Sequence, residues 1–263
     1  MHHLRKLQSN WEGFARLDPL WAICVDHGRL GNKWTQEDFF ATGRLEISRV
    51  MQYLESLGLT PDRAGEALDF GCGVGRLTRA LGSYFSTCWG VDISPTMIDL
   101  ANTLNSSADK CCFKVNQQNH LRQFTNNRFA FVYTSIVLQH IPRKYVEGYL
   151  RELVRVLKPG GIFVFQAPER EKAPALAKLR NKIAFRRRLK HALRRETLAA
   201  FHMEMHCLSE RSIREVLAGC PGRIIDIRLT NSSTGGFNGD LQFLDREPES
   251  GFVSKQYCLV KEG

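Results

Sequence analysis

The sequence lacks long hydrophobic runs. Hydrophobic residues make up 43% of its 263 residues, yet no run approaches the roughly 20 consecutive apolar residues that cross a bilayer. The residues from Met1 to Lys6 are not followed by the apolar core of a secretory signal. We therefore expect a cytoplasmic protein whose length corresponds to one full domain with an extension.

Closely spaced cysteine pairs are missing as well. The eight cysteines are scattered along the chain, and none of them forms a C-x-x-C pair. This spacing argues against a disulfide framework and against a structural zinc site. Several of the cysteines fall within apolar runs, so we expect buried free thiols in a reducing compartment and no metal centre.

Acidic residues are fewer than basic ones, with 27 Asp and Glu against 37 Lys and Arg, a net charge of +10. The excess is local, because the segment from Arg170 to Glu196 carries +9 and the rest of the chain about +1. A basic amphipathic helix can bind an anionic membrane surface, an acidic substrate or a nucleic acid, or can simply be solvated. We favour the solvated helix, followed by the membrane surface or acidic substrate through residues 170–195, and rank nucleic acid last.

The most informative stretch runs from Ala67 to Thr78, with the sequence ALDFGCGVGRLT. It predicts a short buried strand, a turn with three glycines at alternate positions, and a helix that begins at Arg76. The glycines let a ligand approach bare backbone, and the first N–H groups of the helix point at that ligand. This arrangement is typical of the opening unit of a nucleotide-binding sheet.

The glycine spacing bears on which nucleotide binds. A dinucleotide fingerprint reads G-x-G-x-x-G, whereas this chain has G-x-G-x-G with Asp69 two residues before Gly71. A carboxylate at that place can accept a hydrogen bond from an ammonium or hold the turn, but it is a poor neighbour for a pyrophosphate. The spacing favours a nucleoside with a cationic tail, with a dinucleotide dehydrogenase and a glycine turn without a ligand as alternatives.

These residues resemble motif I, D/E-x-G-x-G-x-G, of the class I S-adenosylmethionine-dependent methyltransferases. The amphipathic stretch 145–157, the turn KPGG at 158–161 and the strand after it resemble a second signature of this family. The resemblance extends from about residue 37 to 168 and is to the small-molecule, type 11/25-like members. It implies S-adenosylmethionine as cofactor, S-adenosylhomocysteine as product, and an α/β three-layer Rossmann-like fold. Its seven-stranded sheet would be mostly parallel with an antiparallel last strand.

A second acid follows the next predicted strand, which ends at Asp92. It resembles motif II, whose carboxylate can accept both ribose hydroxyls of an adenosine, and Ile93 would pack beside the adenine. Where the family commonly has an acid after the third strand, this chain has Asn116 and Gln117, whose amide oxygens can accept instead. The expected cofactor contacts are Asp69, Gly71, Cys72, Gly73, Gly75, Arg76, Asp92, Ile93, Met97, Asn116, Gln117 and Ser135.

His140 lies in the loop after the predicted fourth strand, at the sheet edge where ligands bind. An oxygen acceptor must lose its proton during methyl transfer, and His140 is the candidate general base; a hydrogen bond within the loop is the alternative. The loop lacks the D/N-P-P-Y/F motif of DNA amino-methyltransferases, which favours a small-molecule acceptor, with oxygen preferred over nitrogen. A lipid-borne or macromolecular acceptor, or a non-catalytic cofactor-binding protein, remains as an alternative.

The remaining chain provides candidate substrate contacts. We expect residues 1–58 to form an N-terminal helical extension that includes Trp21 and Trp34, and residues 59–263 the cofactor-binding domain with an insertion at about 169–206. Residues 11–34 would cover the site, while helix 37–57 packs on the sheet. His202 and His206 are four residues apart, so a helix would place both on one face, where they could hold a metal. We favour the interpretation that both line the substrate pocket.

Overall fold

A computed structural model describes residues 2–172, 203–233 and 237–263. The helices are α1 (His2–Leu17), α2 (Pro19–Ile23), α3 (Gln36–Ser56), α4 (Arg76–Leu81), α5 (Pro95–Leu104), α6 (Arg143–Val156) and α7 (Glu210–Leu217). The strands are β1 (Glu66–Phe70), β2 (Thr87–Asp92), β3 (Cys111–Val115), β4 (Phe129–Thr134), β5 (Leu157–Lys172), β6 (Gly222–Thr230) and β7 (Gly251–Lys261). Most of the basic 170–195 segment, together with His202, lies outside the described residues.

The strands form one seven-stranded sheet in the order β3-β2-β1-β4-β5-β7-β6. Strands β1 to β5 pair in parallel, whereas β7 is antiparallel to both of its neighbours. The predicted fold class is therefore confirmed, including the antiparallel pair that ends the chain. Because β1, β2 and β4 are parallel, their carboxyl ends meet at one edge of the sheet, where a ligand can bind between loops.

Capping residues begin several helices where the sequence predicts them. Asp18 accepts a hydrogen bond from the Trp21 amide before α2, and Thr35 accepts one from Asp38 before α3. Ser94 caps α5, and Pro95 takes the first helical position. Each cap satisfies an amide that has no partner within its helix.

The core lies on both faces of the sheet. On one face α6 and α7 cover the strands, with residues such as Leu153 and Ile213 in one buried cluster. On the other face Ile47 and Leu54 of α3 pack with Phe131 of β4, so helix 37–57 packs on the sheet as expected. No helix within the described ranges is long and apolar enough to cross a membrane.

Two elements differ from the sequence-based expectation. Strand β5 begins at Leu157, before the KPGG turn, because Leu157 already pairs with Phe129. Helix α1 lies within the stretch expected to be a helical extension, but its bounds were not predicted, although its buried residues Leu4 and Phe14 share one helical face with Leu7 and Trp11. The spacing of these four residues was the available signal.

Candidate active site

A cavity of about 330 Å³ opens at the carboxyl edge of the sheet. Its walls come from the ends of β1 and β2, the loops after β3 and β4, helices α1 and α2, and residues 203–205, 232–233, 237 and 252. The walls are mainly apolar. Among the expected site residues, those that border the cavity are Gly71, Cys72, Gly73, Arg76, Asp92, Ile93, Met97, Asn116, Ser135 and His140.

The glycine loop approaches the cavity with its backbone. Gly73 has a φ of 53°, and a Cβ atom built there would lie 2.4 Å from the Ile23 side chain. Any larger residue at this position would push α2 away from the loop. The loop and the N-terminal segment are therefore in close contact at the wall of the cavity.

The Asp92 carboxylate lies at the wall of the cavity and is fixed by backbone amides. Its Oδ2 accepts from Gly73 N–H at 2.9 Å and its Oδ1 from Ser94 N–H at 2.9 Å. Burial raises the pKa of Asp92, and these hydrogen bonds offset only part of that effect. Each carboxylate oxygen keeps a further lone pair, so the group can still accept from two hydroxyls of a ligand.

Three expected cofactor contacts do not border the cavity, and as cofactor contacts they stay predictions. Asp69 is buried and its Oδ2 accepts from the Thr78 hydroxyl at 2.7 Å, so it holds the turn; burial raises its pKa to about 7. Gly75 faces Phe113 of β3, where a Cβ atom would lie 2.6 Å from the ring. Gln117 is exposed, whereas Asn116 is buried and borders the cavity.

His140 borders the cavity and is only 4% exposed. Its Nδ1 lies 2.7 Å from the carbonyl oxygen of Glu204. Because a carbonyl only accepts, Nδ1 carries the proton and Nε2 keeps its lone pair. Burial lowers the pKa of His140 to about 4, so the ring is neutral at physiological pH.

A line of side-chain hydrogen bonds leads to His140 Nε2. The backbone N–H of Ile136 donates to Gln166 Oε1 at 3.0 Å, and Gln166 Nε2 donates to the Ser233 hydroxyl at 2.9 Å. Gln139 accepts from Ser233 at 3.5 Å, and its amide nitrogen lies 3.3 Å from His140 Nε2. The Ile136 N–H can only donate, so the Gln166 amide points its oxygen at Ile136. The Glu204 carbonyl can only accept, which leaves His140 Nε2 without a proton, so the Gln139 amide points its nitrogen at Nε2.

Ile136 has an unusual backbone conformation. Its φ is 59°, in the left-handed region that a β-branched residue rarely adopts. The conformation presents its N–H to Gln166 next to the cavity. Such strain is found mainly where the surroundings impose it, often at functional sites.

Helix α1 covers the cavity next to His140. Trp11 borders the cavity and packs edge-on against His140, with ring centroids 5.5 Å apart. The expected substrate contacts Trp21 and Trp34 do not border the cavity and stay predictions. Trp21 Nε1 donates to the Asp26 carbonyl at 2.9 Å, and Trp34 Nε1 to the Cys24 carbonyl at 3.1 Å. Both indoles therefore stabilise the fold of the N-terminal segment.

The segment from His202 to His206 contributes to the cavity in a different way from the one expected. His206 does not border the cavity; its backbone N–H donates to the Gln139 carbonyl at 2.7 Å, and its ring faces Glu204 at 3.4 Å. His202 lies outside the described residues. The neighbours Met203 and Met205 line the cavity instead. Within the described part of the chain, no three acidic, histidine or cysteine side chains are close enough to hold a metal ion.

Several cavity residues were not anticipated from the sequence. They are Leu7, Trp11, Ile23, Val25, Gln139, Tyr149, Met203, Met205, Ser232, Ser233, Phe237 and Phe252. Most lie far from the glycine motif in the sequence. Most of them are hydrophobic and have the character of core residues, and only the fold brings them to this edge.

Comparison with known proteins identifies the family. Residues 68–165, from β1 to β5, match the family model described as a methyltransferase domain. Residues 68–165 therefore form a methyltransferase domain of the S-adenosylmethionine-dependent kind. The resemblance predicted from the glycine motif is thereby confirmed, and S-adenosylmethionine is the cofactor of this family.

The methyltransferase domain is similar to curated enzymes with small-molecule substrates. It is 29% identical over 155 residues to 2-methyl-6-phytyl-1,4-hydroquinone methyltransferase of Synechocystis, covering 59% of this chain and 47% of that protein. It is 33% identical over 125 residues to tocopherol O-methyltransferase of Arabidopsis thaliana, covering 44% of this chain and 35% of that protein. The chain thus spans less than half the length of these relatives.

Solved structures share the complete fold. The crystal structure of magnesium protoporphyrin IX methyltransferase from Synechocystis, with bound SAH, superposes with a TM-score of 0.61. The match covers 99% of this chain and 100% of that one at 17% identity. At this identity the likeness shows the fold, which includes the N-terminal helices as well as the sheet.

Proposed function

We propose that the protein methylates an oxygen atom of a small, largely apolar molecule, with His140 as the general base. The observation that supports this most strongly is the single cavity that extends from the glycine loop and Asp92 to His140. A methyl donor bound at the loop and an acceptor beside His140 would share this cavity. Methyl transfer mainly requires that the two are aligned and that water is excluded.

The residues at the loop end fit S-adenosylmethionine. The free lone pairs of Asp92 suit the ribose hydroxyls, Ile93 and Met97 offer apolar contact to the adenine, and Asn116 offers a polar group near it. Gly71 and Gly73 allow close approach of the backbone. When bound, the cofactor supplies an activated methyl group on a sulfonium.

At the other end, His140 can take the proton of an acceptor hydroxyl. The Nδ1 proton is committed to the Glu204 carbonyl, so the incoming proton goes to Nε2, where the acceptor hydroxyl would take the place of the Gln139 amide as hydrogen-bond donor. A neutral ring with a low pKa is a weak base, which suits an acidic hydroxyl better than an alcohol. A phenol or hydroquinone is such a group, since a phenolic hydroxyl has a pKa of about 10.

The cavity wall around the acceptor position is apolar. Trp11, Ile141, Met203, Met205 and Phe252 provide most of it, with Ser233 and Gln139 as neutral polar groups. The names of two relatives specify acceptors of this type, a phytyl hydroquinone and a tocopherol. We infer that the acceptor carries an aromatic hydroxyl on an apolar body.

A second candidate is the same chemistry on a lipid-borne acceptor at a membrane surface. The apolar wall suits a lipid chain, and the +9 charge of residues 170–196 would favour an anionic surface.

All eight cysteines are free thiols, four of them buried, which agrees with a reducing compartment such as the cytoplasm.

Calorimetric titration with S-adenosylhomocysteine tests the cofactor site. We expect micromolar binding by the wild type and at least tenfold weaker binding by Asp92→Ala, because two charge-assisted hydrogen bonds to the ribose would be lost. Incubation with S-adenosylmethionine and a panel of alkylated phenols, hydroquinones, benzoic acids and anilines then tests the acceptor by mass spectrometry. Methylation confined to the acids or amines would contradict an acceptor hydroxyl, and folded protein without binding would contradict the cofactor site.

A further inference from the structure

The Gln139 amide borders the cavity next to His140, yet only long hydrogen bonds hold it. The side chain of Gln139 is 3% exposed. Its Nε2 lies 3.3 Å from His140 Nε2, and its Oε1 accepts from Gln166 Nε2 at 3.4 Å and from the Ser233 hydroxyl at 3.5 Å. Ordinary hydrogen bonds of these kinds measure about 2.5–3.2 Å. A buried amide held in this way is stabilised by a better partner, and a ligand in the cavity can provide one.

The neighbouring amide of Gln166 is held much more firmly. Its Oε1 accepts from the Ile136 N–H at 3.0 Å, and its Nε2 donates to the Ser233 hydroxyl at 2.9 Å and to the Ser254 hydroxyl. Both N–H groups of Gln166 are therefore used, and the contact with Gln139 is secondary. Gln139 is thus the amide of this network that a ligand can recruit without breaking a strong hydrogen bond.

The acceptor end of the cavity needs a donor of this kind. A phenolic hydroxyl has a pKa of about 10, whereas the pKa of His140 is about 4. Proton transfer between them is easier when a third group stabilises the negative charge that develops on the oxygen. The described side chains around the acceptor position are neutral, so a hydrogen bond has to do this. The Gln139 amide, next to Nε2, is placed to donate it.

We propose that Gln139 is a second catalytic residue, whose amide N–H turns from His140 Nε2 to the acceptor oxygen and stabilises the charge that develops there. The proposal rests on the proposed function, because it concerns the acceptor hydroxyl at His140. The Nε2 atoms of the two residues are 3.3 Å apart. An oxygen about 2.8–2.9 Å from each of them completes a triangle with ordinary hydrogen-bond lengths. One oxygen can therefore donate to His140 and accept from Gln139.

The acceptor oxygen has enough electron pairs for these contacts and for the new bond. A hydroxyl has one proton and two lone pairs. The proton goes to His140 Nε2, one lone pair accepts from Gln139, and the other forms the bond to the methyl carbon. The electron pair of the broken bond stays with the sulfonium sulfur, which becomes neutral. Because the protein holds the oxygen at two sites, its remaining lone pair has a fixed direction, as an in-line displacement requires.

The acidity of the acceptor provides the test. Phenols with the same apolar body but with different numbers of nitro or halogen substituents differ in how much negative charge the ring itself can carry. We expect Gln139→Met to lower the methylation rate of the least acidic phenol about 10²-fold, the usual effect of one lost donor to a developing oxyanion. For the most acidic phenol, whose ring spreads the charge, the loss should be less than about threefold. Gln123→Met, at an exposed glutamine, is the matched control.

The outcomes separate this proposal from the proposed function. An equal loss for all phenols would mean that Gln139 only supports the loop that carries His140, and would overturn the proposal, as would unchanged rates. A wild-type protein that methylates no hydroxyl would overturn the proposed function as well. If circular dichroism shows that Gln139→Met is unfolded, Gln139→Asn decides, because its amide is one methylene too short to reach the acceptor oxygen. Wild-type rates of that variant would also overturn the proposal.

Discussion

At the scale of single residues, burial determines which groups can do chemistry. His140 is kept neutral by its burial, and the Glu204 carbonyl decides which of its nitrogens carries the proton. Asp69 and Asp92 both follow the sequence pattern of the family, yet only Asp92 faces the cavity. Asp69 pairs with Gly90, two residues before β2 ends at Asp92, so Asp92 lies nearer the sheet edge where the cavity opens, and a motif does not record that difference.

The low pKa of His140 predicts an unusual pH dependence of methyl transfer. Because the ring is neutral above about pH 4, the base is already available at pH 5.5, and we expect a rate that does not change from there to pH 8. A histidine with an ordinary pKa of about 6.5 would lose about nine tenths of its activity at pH 5.5. The rate is measured by mass spectrometry with the best acceptor of the panel.

Two variants accompany this measurement. His140→Asn should lower the rate about 10²- to 10⁴-fold at every pH, while His120→Asn, at the surface, should not. A rate that falls with a midpoint near 6.5, or an active His140→Asn protein, would exclude His140 as the base. Between pH 6.5 and 4 this histidine binds a proton in the unfolded chain but not in the folded one, so acid reduces the stability of the fold in that range. Circular dichroism at each pH therefore has to show that the protein is still folded.

At the scale of helices and strands, helix α1 connects the two ends of the cavity. Glu12 accepts from the Ser94 hydroxyl at 2.6 Å and from the Thr96 amide and hydroxyl at 3.1 and 2.6 Å, at the start of α5. Almost two turns earlier, Lys6 pairs with Glu204 at 2.5 Å. The helix is thus attached next to Asp92 on one side and next to the His140 partner on the other.

Removal of the Glu12 contact should loosen α1 and the cofactor together. We expect Glu12→Ala to speed amide hydrogen exchange in residues 2–17 about tenfold or more. The reason is that the helix loses several hydrogen bonds to a charged group, so it opens more often. S-Adenosylhomocysteine should also dissociate faster, since Trp11 and Leu7 cover the cavity. Arg5→Ala, at an exposed position of the same helix, is the control. Faster exchange with an unchanged dissociation rate would show that α1 does not retain the cofactor.

The elements differ in how well the sequence predicts them. The glycine turn, the caps of α2, α3 and α5 and the final antiparallel pair have local signals, and all were predicted. The contact of Glu12 with Thr96 and the pair of Glu46 with Arg76 join residues 84 and 30 positions apart. Such contacts leave no spacing pattern, because they depend on which helix the sheet places beside which loop. The left-handed Ile136 is likewise imposed by its surroundings.

At the scale of the whole molecule, two properties belong to different parts of the chain. The cofactor and acceptor regions share one largely apolar cavity, whereas the positive charge is concentrated in residues 170–196. With that segment excluded, the chain is almost neutral. Any attraction to an anionic surface must therefore come from this segment. Binding of the cofactor should not depend on the segment.

Sedimentation with vesicles tests this separation. If the acceptor is lipid-borne, the protein should bind vesicles that contain anionic phosphatidylserine, and binding should fall steeply as salt increases from about 0.05 to 0.5 M, because screening shortens the reach of the charges. Replacement of Arg186, Arg187 and Arg188 by glutamine should abolish vesicle binding and leave the affinity for S-adenosylhomocysteine unchanged. Glutamine at Arg211, Arg214 and Arg223, which removes the same charge elsewhere, is the control. Absence of wild-type binding at low salt would leave a free small molecule as the acceptor, since nothing else in the chain carries enough positive charge to hold it at a membrane.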